Sequence, residues 1–321
     1  MTTGPSRAGE RGTARAVALL FFPLMAVVGY AGQQPDFRIL VDVNLVVLQA
    51  TVTDKQGGVV SDLGEQAFEV YEDGVRQSIR LFRNEDIPVT VGLVIDHSTT
   101  MRPKLAEVSA AAWTFVRSSN LEDEMFVVNF NEKVSLGLPA ALRFTNSAAE
   151  LQRAIGTAPA DGQTALYDAI GRALGQLEAG SRDKKVLIVI SDGGDNRSVR
   201  TLGQVMKLAA QSSAVIYTVG LFDQEDPDRN PGVLKRLAQA TGGEAFLPDQ
   251  LSEVVAICER IARDIRHQYT IGYVPSSAAR NGTYRAIRMV ARTKGNDKLA
   301  VRTRAGYIPS DEPRLAGKSA K

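Results

Sequence analysis

The sequence predicts an α/β protein: a doubly wound, mostly parallel central sheet, inserted in a β-sandwich built from N- and C-terminal flanking strands. Three observations predict it. Residues 89–95 (Val-Thr-Val-Gly-Leu-Val-Ile) and 186–190 (Val-Leu-Ile-Val-Ile) are short, continuous apolar runs rich in β-branched residues, as expected of strands buried on both faces. Each run ends in a polar turn followed by helical periodicity, and that alternation favours parallel neighbours. At both ends of the chain, short alternating segments separated by turns read as β rather than α/β.

In chain order, residues 38–53 include stretches of apolar/polar alternation and end at the turn Asp54-Lys55-Gln56-Gly57-Gly58. Residues 68–72, the turn Asp73-Gly74 and residues 75–82 read as a hairpin. After strand 89–95 comes a helix over 103–118, with Leu105, Val108, Ala112 and Phe115 at helical spacing. Residues 125–130 and 134–138 read as strands around Asn131-Glu132. Helices over 147–155, 165–177 and 201–212 flank strands 186–190 and 214–221. A last helix, 251–265, carries apolar residues at 251, 254, 258, 261 and 265. Three more strand candidates follow, at 269–274, 284–291 and 298–304. Neither flank alone has enough strands for a core, so the two are expected to pair. The expected divisions are a signal segment 1–31, an N-terminal β-segment 36–86, the α/β domain 87–266, a C-terminal β-segment 267–309 pairing with 36–86, and a disordered tail 310–321.

The chemistry gathers at strand ends. The first buried strand delivers Asp96-His97-Ser98-Thr99-Thr100, and the second delivers Ser191-Asp192-Gly193-Gly194-Asp195-Asn196. Parallel strands place their C-terminal ends on one edge, where ligands bind in such sheets. Asp96 and Asp192 are then neighbours, with Ser98 and Thr100 beside them and Thr164 entering from the Gly-containing loop 161–164. Hard oxygen donors at one point suit a hard divalent cation, and two carboxylates in a partly desolvated site need a counter-charge. Taken alone, the first segment fits a helix cap equally well.

Asp96-x-Ser98-x-Thr100, Thr164 and Asp192 resemble the metal-ion-dependent adhesion site of von Willebrand factor type A domains, which are Rossmann-like. The resemblance spans about residues 87–266, in the family's order. Thr100 departs from the usual Ser but keeps a ligating hydroxyl, and Thr99 stands where Gly is common. The resemblance implies a metal site of Asp96, Ser98, Thr100, Thr164 and Asp192 for Mg²⁺ (or Mn²⁺/Ca²⁺). Ser98 and Thr100 would bind through their hydroxyls, Asp96 and Asp192 mostly through water, and Thr164 directly or through water. The flanks, with Asp73-Gly74-Val75-Arg76-Gln77 and the final Gly306-Tyr307, are similar to those of bacterial secreted proteins with a VWFA-related domain. In integrin-type relatives the helix corresponding to 251–265 shifts on ligand binding; here a static packing helix is the favoured reading.

Composition narrows the function classes. Residues 1–31 carry three Arg and one Glu, and without them the chain has 35 basic against 35 acidic residues. That neutrality gives no argument for nucleic acid or an anionic membrane surface. Arg7, Arg11 and Arg15 precede the apolar stretch 16–28 and the small residues around Ala31, a secretory signal pattern. An uncleaved anchor is the alternative, and the sole expected membrane link. The lone Cys258 on an apolar helix face reads as core.

No enzymatic activity is expected. His97 and His267 lack a nucleophile-and-base partner, and His97 should face away from the metal. A phosphotransferase of the haloacid dehalogenase type needs a second Asp where Ser98 stands. The acidic loop 223–228 should rise on the same edge; it reads as solvated, since its spacing matches no EF-hand, although a second cation site or a specificity rim stays open. Asp195 is kept as a supporting residue. The function expected is a secreted or periplasmic, cell-envelope adhesion or assembly module. It would capture a protein ligand presenting an Asp or Glu carboxylate, with partner choice set by the rim 161–163, 193–197, 223–230 and 101–103. The alternative is a structural envelope component with a vestigial site. Oligomeric state is not legible.

Overall fold

A computed structural model describes residues 45–223, 228–277, 282–295 and 297–309. The signal segment, the strand expected over 38–44 and the tail 310–321 lie outside the described residues.

The N-terminal flank begins with β1 (Val46–Thr53). A hairpin follows, β2 (Phe68–Glu72) and β3 (Val75–Gln77), and then β4 (Ile79–Arg83). At the hairpin tip both Asp73 (φ 48°) and Gly74 (φ 81°) are left-handed, the backbone that a two-residue Asp-Gly turn demands. The expected single strand 75–82 is divided at Ser78: β3 pairs with β2, while β4 pairs with a C-terminal strand.

The α/β domain runs β5 (Val89–Asp96), α1 (Leu105–Arg117), β6 (Glu124–Phe130), β7 (Val134–Leu136), α2 (Ala148–Ile155), α3 (Leu166–Leu177), β8 (Lys184–Ser191), α4 (Leu202–Gln211), β9 (Val215–Gly220), α5 (Pro231–Thr241), β10 (Ala245–Phe246) and α6 (Val254–Arg266). Its sheet has the order β10-β9-β8-β5-β6-β7, parallel except for β7. Every residue of β5 and β8 is buried, as two-faced strands require. Helices α6, α1 and α2 pack side by side in one layer, and α3, α4 and α5 in another. From β5 the chain winds outward through β6, and from β8 it winds the opposite way through β9. The crevice between β5 and β8 is therefore the topological switch point of the sheet.

The sequence pattern did not reveal α5 and β10. Their signals are short: Asn230 caps Val233 N–H, Pro231 opens the helix and Gly242 closes it.

The C-terminal strands β11 (Tyr269–Tyr273), β12 (Arg285–Arg292), β13 (Lys298–Arg302) and β14 (Gly306–Tyr307) join the N-terminal flank. The order is β3-β2-β12-β13-β1-β11-β4, with β14 on β12. β1 changes partner midway, from β11 (residues 46–50) to β13 (residues 51–53). That corner folds the sheet over, so Phe68 of β2 meets Phe82 of β4 and Tyr269 of β11 at ring-centroid distances of 5.6 and 4.9 Å. The flanks thus form a sandwich with its own core, including Leu48, Val70, Ile271 and Met289.

Charge also pairs the flanks. Arg288 of β12 lies 3.9 Å over the Tyr71 ring of β2, and buried Glu72 sits 2.8 Å from Arg285 while accepting from the hydroxyls of Tyr273 and Tyr307. A buried carboxylate in a strand is tolerable only with such partners. Polar ties join the sandwich to the α/β domain. Arg302 of β13 bridges Glu244 and buried Asp264 of α6, and Arg304 donates to Ala210 O. Among the described residues no helix is long and apolar enough to cross a membrane.

Candidate metal centre

Asp96 is the last residue of β5, and its carboxylate is fully buried. One oxygen accepts from Ser98 N–H at 2.8 Å and the other from the Ser191 hydroxyl at 2.6 Å. Ser98 does not cap the turn of 3₁₀ helix at Thr99–Lys104. Its hydroxyl lies instead 3.2 Å from that of Thr100, which donates to Asp192 at 2.6 Å. Because Thr100 has one proton and gives it to a carboxylate, Ser98 is the donor of that pair. The sequence left a helix cap and a ligand loop open for this segment; the hydroxyls turn toward Asp192 rather than toward the helix.

Asp192 follows β8 directly, and its other oxygen accepts from Gly194 N–H at 3.1 Å. Gly193 between them has φ 79°, and a Cβ there would collide with the Asn230 carbonyl. Glycine is needed on both counts. Thr164 precedes α3 and is held by its backbone. Its N–H donates to Asn196 Oδ1 at 2.9 Å, and its carbonyl accepts from the N–H groups of Asn196 and Arg197 at 3.1 Å each. Asp195 accepts from Tyr167 N–H and the Ser198 hydroxyl, so it caps α3 from the neighbouring loop.

These segments enclose a cleft of about 100 Å³ lined by Ser98, Thr100, Thr164, Asp192, Asn196 and Asp228 among others. Four of the five expected ligands reach it, and Asp96 lies beneath, hydrogen-bonded to Ser98 and Ser191. The sequence reading did not single out Ser191, which carries Asp96, or Asn196 and Asp228 individually. Ser191 was signalled only by its place at the end of an apolar run. The described acids of the acidic loop, read as solvated, are both exposed, and each also has a partner. Asp223 pairs with the buried Lys104 ammonium at 3.0 Å, and Asp228 accepts from Asn196 Nδ2 at 3.0 Å in the cleft wall.

Burial, and then repulsion from Asp192, push the Asp96 carboxyl up to about 7 against the hydrogen bonds of Ser191 and Ser98. Ionising both carboxylates is therefore costly without a cation beside them. Three hydroxyls and two carboxylates are the donor set of a hard divalent ion, so these residues fit one. Among the described residues no group of three or more His, Cys, Asp or Glu is arranged to hold a metal, and the hydroxyl-rich cleft differs from such a cage. His97 points away, its Nε2 3.1 Å from Asn129 Oδ1, and burial lowers its pKa. Burial pushes the Cys258 thiol up to about 12.

The family model of the von Willebrand factor type A domain matches residues 90–258, more than half of the 321 residues. The chain belongs to the von Willebrand factor type A domain family. Such domains are in general protein-interaction and adhesion modules. Among solved structures, a von Willebrand factor type A protein from Catenulispora acidiphila matches with TM-score 0.50 and 12% identity, over 86% of this chain and 76% of that one. The vWF domain of the type V pili tip protein Mfa5 from Porphyromonas gingivalis gives TM-score 0.48 and 15% identity, over 56% and 95%. BatB from Bacteroides thetaiotaomicron gives 0.44 and 17%, over 55% and 98%. Comparison with curated proteins gives no match. At 12% identity the likeness to the Catenulispora protein speaks for the fold alone.

Proposed function

We propose that this chain is an extracytoplasmic, cation-dependent protein-binding module of the adhesion or assembly kind. Its type A domain would hold Mg²⁺ (or Mn²⁺/Ca²⁺) and capture an Asp or Glu carboxylate of a protein partner. The observation that carries the reading is the cleft at the β5/β8 switch point, where Ser98, Thr100, Thr164 and Asp192 converge above Asp96. Bound there, the ion would supply a positive point for an anionic oxygen.

Each side chain has a distinct part. Thr100 directs its proton to Asp192 and accepts from Ser98, which leaves one oxygen lone pair for a cation. Thr164 is fixed through both backbone polar groups by the Asn196 loop, so its hydroxyl meets the cleft with little ordering cost. Asp96 and Asp192 would neutralise charge mostly through water. The basic and apolar pattern of residues 7–31 supports export, and the balanced charge of the remainder fits a protein ligand better than nucleic acid.

The test is capture from a native envelope fraction with Mg²⁺ and then with EDTA, alongside Thr164→Ala and Asp96→Ala. Capture should vanish in EDTA and in both variants while circular dichroism stays unchanged. Capture that persists in EDTA rejects a metal contact. Failure to bind cation at all would favour a structural envelope component with a vestigial site.

A further inference from the structure

We propose that Asn196 and Asp228 decide which anions the cleft admits: the Asn196 amide is the second anchor of an incoming carboxylate, and Asp228 occupies that anchor in the free protein. This rests on reading the cleft as a cation-dependent carboxylate site.

The orientation of Asn196 is set by its neighbours. Its Oδ1 accepts from Thr164 N–H at 2.9 Å, so Nδ2 is the end that meets Asp228 Oδ2 at 3.0 Å. Two further bonds, from the Asn196 and Arg197 N–H groups to Thr164 O, hold that loop against Thr164. A neutral donor is thereby fixed in the cleft wall beside the candidate ligands.

Asp228 belongs to residues 228–230 just ahead of α5, which Asn230 N–H ties to Asp192 O at 3.0 Å. The Asn196–Asp228 bond therefore spans two loops that both line the cleft. A carboxylate has two oxygens. With one on the cation, the second needs a donor, and three neighbouring hydroxyl protons are committed: Ser98 to Thr100, Thr100 to Asp192 and Thr99 to Gly162 O. Asn196 Nδ2 gives one of its two protons to Asp228; that proton can serve the carboxylate once Asp228 withdraws, and Asp228, being exposed, is readily rehydrated. Asp228 thus acts twice against a weak ligand, by holding the donor and by repelling a like charge.

The experiment uses the full chain loaded with Mn²⁺, acetate as the probe, and water-proton relaxation to follow displacement of ion-bound water. Asp228→Asn and Asp228→Ala should each raise acetate affinity roughly three- to tenfold, the scale of removing one nearby exposed charge and its competition. Their Mn²⁺ affinity should stay within about threefold of wild type. Adding Asn196→Ser should cancel the gain. Unchanged acetate affinity in the Asp228 variants, or a gain that survives Asn196→Ser, overturns the assignment while leaving the cation site standing. A tenfold loss of Mn²⁺ affinity with acetate unaltered makes Asp228 a ligand and also overturns it. No Mn²⁺ binding by the wild type overturns both this inference and the reading beneath it.

Discussion

Replacing Asp96 with Asn should stabilise the cation-free protein while destroying its response to cation. The Asp96 carboxyl is raised from 3.8 to about 7, so between those values the folded state holds a proton that the unfolded chain has lost. Stability therefore falls as pH rises through that window, by about 4 kcal/mol in all, at roughly 1.4 kcal/mol per tenfold change in proton affinity. Below pH 3.8 the loss is absent, and above about 7 it is complete. Asn cannot ionise and can still accept from Ser98 N–H. Its amide would have to donate to the Ser191 oxygen, which already accepts from Gly193 N–H at 3.0 Å, and the Ser191 proton would lose its acceptor at a cost of about 1 kcal/mol. The net gain at pH 8 in EDTA is then roughly 2–3 kcal/mol, a melting shift on the order of 5–10 °C for a chain of this size. Differential scanning calorimetry of both proteins from pH 4 to 8, with EDTA or with Mg²⁺, reads it. In Mg²⁺ the wild type should rise and the variant should not. The reasoning is refuted if the variant melts below wild type in EDTA at pH 8, or if their difference does not shrink as pH falls.

Other perturbations probe the rest of the structure. The Lys184 amine is pushed down to about 7 by burial, so its charge opposes folding fully below that pH and ceases to do so above 10.5. Lys184→Met should therefore stabilise at pH 6 by roughly 2–4 kcal/mol, with a gain in urea unfolding that fades as pH rises. Arg302→Met leaves Asp264 buried without its cation and should cost about 2–4 kcal/mol by the same assay. Gly193→Ala meets both a left-handed backbone and the Asn230 carbonyl, and should lower cation affinity at least tenfold in calorimetric titration. Truncation after residue 266 removes the partners of β1 and β2. Hydrogen exchange should then show residues 45–86 unprotected and the parallel sheet still protected.

Much of this was written in local pattern. The β5 and β8 runs are apolar throughout because both faces are covered, and parallel strands bring their ends together, so Asp96 and Asp192 could be paired across the intervening chain. Thr164 was legible through its Gly-containing loop before an amphipathic helix. What escaped was set by tertiary contact. The partner change along β1 and the break at Ser78 depend on how one sheet closes over another, which alternation along a strand cannot encode. The exception is α5, which carries both its caps and a buried apolar face at Val233, Leu234, Leu237 and Ala238, so its signal was present and was passed over beside the acidic loop that precedes it. Asp228 looked like one acid among several in a solvated loop, and only its bond to the Asn196 amide distinguishes it.

The central claim is that the cleft binds a divalent cation through Ser98, Thr100 and Thr164 with Asp96 and Asp192 as its counter-charge. Isothermal titration of Mg²⁺ and Mn²⁺ into the full chain tests it most directly, with Thr164→Ala as the control. The account predicts one saturable site with a dissociation constant of about 1 mM or tighter, weakened at least tenfold in the variant. Absence of binding at that concentration, or equal binding by Thr164→Ala, would contradict it.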